Sequence, residues 1–189
     1  ALAARAQARQ SVQAATDELD LRHLAVLDAL LVLHANRTPA PVADIAALLE
    51  RRIDADELDA VLADLADRAL VWGTDRIRVA GEAGAGLPWY PGQLALDSPR
   101  RSVDELSAAI DALPDEQAEL LSRLSEGSPV GRTRDAAPTA PADHPVPRLL
   151  AAGLLLRLDD ETVLLPRRVG QLLRGHTPDP VLLAPPDPA

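Results

Sequence analysis

The sequence has no cysteine, which excludes disulfides and thiolate metal sites. It has no lysine either, so all 19 basic residues are arginine. A P-loop needs a lysine after its glycine-rich turn to reach the nucleotide phosphates, and this stretch of chain can hold none. Phenylalanine and methionine are also missing, and Trp72, Trp89 and Tyr90 are the whole aromatic complement. The core must be built from Leu, Val, Ile and Ala, which suits small helical domains whose helices each hide one apolar stripe. Few planes are left on which exposed bases could stack. No run approaches the roughly 18 consecutive apolar residues of a membrane span, so a soluble, cytoplasmic protein without membrane contact is expected. The lack of an initiating Met leads to the expectation of a piece of a longer chain. The net charge of -10 counts against a free-standing nucleic-acid binder, because phosphate neutralisation supplies most of such affinity, but it leaves room for a local basic patch.

What is present reads as helices followed by hairpins. Residues 1–16 form a lead-in rich in Ala, Gln and Arg. Over 17–34 the spacing of Leu24, Leu27, Leu30 and Leu31 predicts a helix. Thr38-Pro39 begins a turn, and Pro41 opens a second helix with Val42, Ile45, Leu48 and Leu49 inward. Asp54 and Glu57 have capping-box spacing for a third helix to Ala69, striped by Leu58, Val61, Leu62 and Leu65. Then 70–72 and 76–79 predict a hairpin turning at Gly73-Thr74-Asp75. The Gly- and Pro-rich stretch 81–101 reads as a linker, with Trp89-Tyr90-Pro91 packing on a domain face. Ser102 and Glu105 cap a further helix, Pro114 starts another that ends near Gly127, and 128–145 reads as a loop. A short helix over 146–152, a hairpin over 153–165 and a last helix over 167–174 follow. The tail 176–189 is Pro-rich. The expected fold is mainly α with short β-hairpins, as two winged-helix-like units in tandem: 1–80 with the lead-in, and 102–175. A weak repeat supports the pairing, since Ala69-Leu70-Val71 enters the first hairpin as Gly153-Leu154-Leu155 enters the second.

Motifs for chemistry are sparse. His23 and His34 share a helix face but lie about 16 Å apart along its axis, so they cannot share a metal, and His144 and His176 fall in loops. Ser128 sits in Gly-Ser-Pro-Val-Gly, which lacks the residue a nucleophile elbow places between Gly and Ser. The carboxylates gather at helix starts, where they suit the dipole. No catalytic residue, cofactor or metal is assigned, and the chain is expected not to be an enzyme by itself. The third helix is the informative element. A DNA-reading helix exposes Arg, Lys, Asn, Gln or Ser, whereas this one carries Asp56, Asp59, Asp64 and Asp67, a face suited to docking a basic partner. Nucleic-acid contact falls instead to Arg76 and Arg78 on the first hairpin and to Arg132, Arg134, Arg148, Arg157, Arg167, Arg168 and Arg174 late in the chain.

The run from Leu113 through Gly127-Ser128-Pro129-Val130-Gly131-Arg132, Leu149-Leu150-Ala151-Ala152-Gly153-Leu154-Leu155 and Thr162-Val163-Leu164-Leu165-Pro166-Arg167-Arg168 resembles the N-terminal region of bacterial helicase-associated proteins. The distal part of those proteins is similar to XPB-type helicases. Leu19 to Trp72, with its Ala-Leu-Val-Trp exit, also fits. The resemblance implies an accessory winged-helix region of a helicase-like DNA-transaction protein. It would position partner domains, contact DNA weakly through the backbone, and carry no catalytic residue; any helicase-like ATPase part would lie in the rest of the protein. The alternative is an acidic protein–protein interaction scaffold without direct DNA binding. A ligand sensor with a pocket between the units ranks below both.

Overall fold

A computed structural model describes residues 14–49, 52–96 and 101–178. The lead-in before residue 14 and the tail from 179 lie outside the described residues. The chain divides into two units, with the boundary between Leu96 and Asp97. Each is mixed α/β, with helices around one small antiparallel sheet of three strands.

In the first unit, α1 (Leu21–Val32) starts where the Asp20 carboxylate accepts from the Arg22 and His23 amides. That side chain satisfies two of the amides a helix start leaves without an intrahelical acceptor. It is followed by β1 (Ala40–Pro41), α2 (Val42–Leu48), α3 (Ala55–Asp67), β2 (Val71–Trp72) and β3 (Arg76–Val79). Asp54 caps α3 by accepting from the Glu57 amide. The sheet order is β1-β3-β2, with Ala40 opposite Ile77 and Val71 opposite Val79. Leu27, Leu30, Ile45, Leu49, Leu65 and Leu70 are fully buried between the helices and the sheet. The predicted hairpin is thus two strands of three. β1 escaped the reading because a two-residue strand carries no alternation. Pro41 stands at the opening of the second helix, as expected, as its N-cap residue, and it also ends that edge strand, where a missing N–H costs no ladder bond.

The linker reading of 81–101 is corrected over 81–96. These residues form an ordered strap on the first unit: a 3-10 turn over Ala83–Gly86, then turns to Leu96. Ala83, Leu94 and Ala95 are buried in the core; of Trp89-Tyr90-Pro91, expected to pack on a domain face, Trp89 packs against it while Tyr90 stays exposed. The fastening is Asp28, fully buried in the middle of α1. Its carboxylate accepts from the amides of Gly92 (2.6 Å), Leu94 (2.9 Å) and Ala95 (2.7 Å). Arg52 completes the clasp by donating to the carbonyls of Leu49, Leu94 and Ala95. A strap rich in Gly and Pro has few internal backbone bonds, so its buried amides need side-chain partners from elsewhere.

In the second unit, α4 (Val103–Asp111) opens with the predicted capping box, Ser102 with Glu105. The order continues α5 (Asp115–Glu126), β4 (Val130–Arg132), a 3-10 turn (Arg134–Ala136), α6 (Pro145–Ala151), β5 (Leu156–Asp159), β6 (Thr162–Leu164) and α7 (Arg167–Leu173). The sheet order is β4-β6-β5, with Gly131 opposite Val163. β4 and the 3-10 turn lie in the stretch read as a loop. Gly131 packs close to α5: a Cβ at this position would stand 3.3 Å from the end of the Leu124 side chain, which would have to shift by a few tenths of an ångström. Leu121, Leu149, Leu154, Leu155 and Leu165 make this unit's core.

The weak repeat has a physical basis. Ala69 and Gly153 both take positive φ, 58° and 66°. After each, the next amide bonds back across the helix end, Leu70 to Leu65 and Leu154 to Leu149, both at 2.9 Å. This 6→1 bond of a Schellman cap satisfies an orphan carbonyl and turns a buried leucine into the core just before the hairpin.

Candidate nucleic-acid interface

The arginines proposed to meet phosphates divide by what their guanidinium groups already hold. In the second unit, Arg168 donates to the Arg101 carbonyl at 2.8 Å, and Arg174 to the Ser125 carbonyl at the end of α5 at 2.9 Å. Arg157 donates through Nε to the Ala136 carbonyl. Arg167, the first residue of α7, is half-buried. Arg157 and Arg174 keep exposed surface beyond those bonds, whereas Arg167 and Arg168 are half-buried. Arg132, Arg134 and Arg148 are exposed as well, and among the described residues none of the three donates to a backbone carbonyl as Arg157, Arg168 and Arg174 do. Arg132 faces Glu161 at 3.1 Å, but both side chains stand largely in solvent, where such a pair contributes little. Arg134 stands on the 3-10 turn, which packs against α6, and Arg148 projects from α6 itself.

A groove of about 370 Å³ opens beside them, between α5, β4 and the start of α6. Leu120, Leu124, Val146 and Val163 form its apolar part, and Arg123, Arg132, Glu116 and Asp135 its charged part. The two signs balance, so the groove favours neither an anion nor a cation.

In the first unit, Arg76 donates to the Pro39 carbonyl at 2.8 Å and remains exposed, and Arg78 is half-buried. On α3, Asp56, Asp59 and Asp67 are exposed, as a docking face requires. Asp64 departs from that face. It accepts from Arg68 Nε at 2.9 Å and lies 3.0 Å from His23 Nε2, tying α3 to α1. His23 Nδ1 lies 2.7 Å from Asp20, and Arg22 reaches Glu57 at 3.1 Å.

The hydrogen bond from Arg68, with the charges of Arg68 and His23, holds the Asp64 carboxyl below the usual range. For Asp20, burial pushes upward, but the bonds from His23 prevail and its pKa is also lowered. A lowered folded pKa stabilises above the unfolded value, about 3.9 for Asp, and that contribution is lost as pH falls through the folded value. The difference in thermal stability between the native chain and Asp64→Asn is therefore expected to shrink as pH drops from about 5 to about 2. Thermal melts across that range test this; a constant difference would show that the Asp64 charge does not bear on stability.

Among the described residues, no three His, Asp or Glu side chains are grouped to hold a metal, and no helix is long and apolar enough to cross a membrane. Comparison with protein-family models, with curated proteins and with solved structures finds no match for this chain.

Proposed function

We propose that this chain is a non-catalytic accessory region of a helicase-like DNA-transaction protein, built from two winged-helix-like units. It orients neighbouring domains and touches nucleic-acid backbone weakly through the second unit. The observation that carries this reading is a repeated order. The first unit runs helix, strand, helix, helix, strand, strand, and its sheet is ordered first–third–second strand. From α5 to β6 the second unit repeats that order, with a single 3-10 turn in place of the middle helix. That order supports a winged-helix reading, in which the third helix would face nucleic acid and the hairpin would form the wing. The resemblance to helicase-associated proteins supports the same reading. In the second unit the third helix is α6, which carries the exposed Arg148, with Arg134 on the turn packed against it.

The test is fluorescence anisotropy with duplex, forked and single-stranded DNA at about 50 and 200 mM salt. Binding should weaken steeply with salt. Arg134→Ala with Arg148→Ala should lower the log–log salt slope by about 2, one per lost phosphate contact, for every sequence alike. Absence of binding at the lower salt, or a double variant that binds as the native chain does, would refute backbone contact through this unit.

A second reading is supported by the exposed Asp56, Asp59 and Asp67 on α3. In the first unit the helix that would face DNA presents acid, which favours a basic protein segment at that face. Salt-sensitive capture of a basic peptide, lost in Asp56→Asn with Asp59→Asn, would favour it.

A further inference from the structure

The outer face of the first unit's sheet combines an exposed aromatic ring with arginine side chains. Along β2 and β3, Val71, Ile77 and Val79 point into the core. Alternation then sends Trp72, Arg76 and Arg78 outward. Trp72 lies directly opposite Arg78 in the register, so their side chains leave the sheet on the same side. Arg76 follows two residues along the same strand, opposite Pro41 on the other edge. Trp72 is 42% exposed, although it is one of only two tryptophans in the sequence. That exposure leaves part of the indole surface open to a ligand.

The charge on this ribbon also reverses the sign of the whole chain. Between Val71 and Val79 the only acid is Asp75, at the turn, against Arg76 and Arg78. Arg76 is oriented by its bond to the Pro39 carbonyl. An exposed aromatic ring opposite Arg78, with Arg76 two residues away on the same face and held towards the β1 edge, suits a nucleotide with its base unpaired, the base on the ring and the backbone phosphates passing over the arginines. A duplex offers its phosphates but keeps its bases stacked inside, so it could use only half of this surface.

We infer that the face formed by Trp72, Arg76 and Arg78 is a binding site for single-stranded nucleic acid, with Trp72 stacking on an unpaired base. The inference rests on the nucleic-acid reading above and names a substrate form for it.

Titrating the chain with a short oligothymidine and with a blunt duplex, while following tryptophan emission and anisotropy, tests the site. The single strand should quench the emission and the duplex should not. Trp72→Ala should weaken single-strand binding between about fivefold and a hundredfold, and Trp72→Phe, which keeps a stacking plane, should restore most of it. Duplex binding should be unchanged in both variants, since it depends on Arg134 and Arg148. If Trp72→Ala binds the single strand as the native chain does, or Trp72→Phe is as weak as Trp72→Ala, the stacking site is refuted while the duplex titration still stands for the second unit. Binding to neither probe would overturn both.

Discussion

Asp28→Ala is expected to detach the strap over 91–96 and to destabilise the first unit by about 2–4 kcal/mol. Three amides lose a charged acceptor at once, and each such bond contributes about 1.5–3 kcal/mol. Against this, the variant no longer has to bury a carboxylate. Burial pushes the Asp28 carboxyl above its ordinary pKa, although the Ala95, Gly92 and Leu94 amides pull the other way. The loss is also capped, because a released strap recovers water for its amides while leaving the apolar sites of Ala83, Leu94 and Ala95 uncovered. Hydrogen exchange is the direct measurement. The amides of Gly92, Leu94 and Ala95 should lose their protection before those of α1. Slow exchange at all three in the variant would mean that Arg52 and the apolar contacts hold the strap unaided. The pH dependence should run opposite to that of Asp64. A raised folded pKa contributes stability in acid that is lost as pH rises through it, so the deficit of Asp28→Ala should grow as pH falls towards about 4.

Gly73→Val should cost at least about 2 kcal/mol and disrupt the first hairpin. Gly73 has φ 113°, where side chains other than hydrogen are strained. An added Cβ would also stand 2.1 Å from the Arg76 carbonyl oxygen, and that atom belongs to the backbone on the far side of the turn, so it cannot rotate away. The turn must open, and the register that sets Trp72 opposite Arg78 opens with it. Gly81→Ala is the control, since a Cβ there meets nothing within 4 Å. A thermal melt in which the two variants behave alike would show that the turn tolerates a side chain.

The helices were legible wherever a leucine stripe and a cap coincided. Leu24, Leu27 and Leu30 mark α1, Asp54 with Glu57 marks α3, and Ser102 with Glu105 marks α4. The hairpins were legible from β-branched residues flanking polar turns. What escaped depended on partners far along the chain. β1 and β4 are short strands defined by β3 and β6, not by any pattern of their own. The strap looked like a linker because Gly and Pro dominate it, yet its anchor lies 64 or more positions earlier. The available signal was Asp28 itself, an acid between Leu27 and Ala29 in the most apolar part of α1. The arginines were harder still. Composition finds Arg157, Arg168 and Arg174 but cannot tell a guanidinium bound to a carbonyl from one left for a phosphate. Trp72 was read as a strand residue, and only the register with Arg78 turned it into part of a surface.

The clasp between Asp28 and the strap also orders events during synthesis. α1 to β3 leave the ribosome before the strap does, and until Gly92 to Ala95 are also free of it Asp28 has no amide partners. At about 5–20 residues per second, the roughly 15 residues from the end of the hairpin to Ala95 take on the order of a second to be added. Through that interval the carboxylate must stay hydrated, which keeps the middle of α1 from sealing. Closure waits for a loop of more than 60 residues, so the last step is a long-range one whose rate is governed by chain length and strap stiffness. A chain that ended between residues 80 and 90 would therefore present an open, unfinished first unit with an apolar seam for a chaperone to hold.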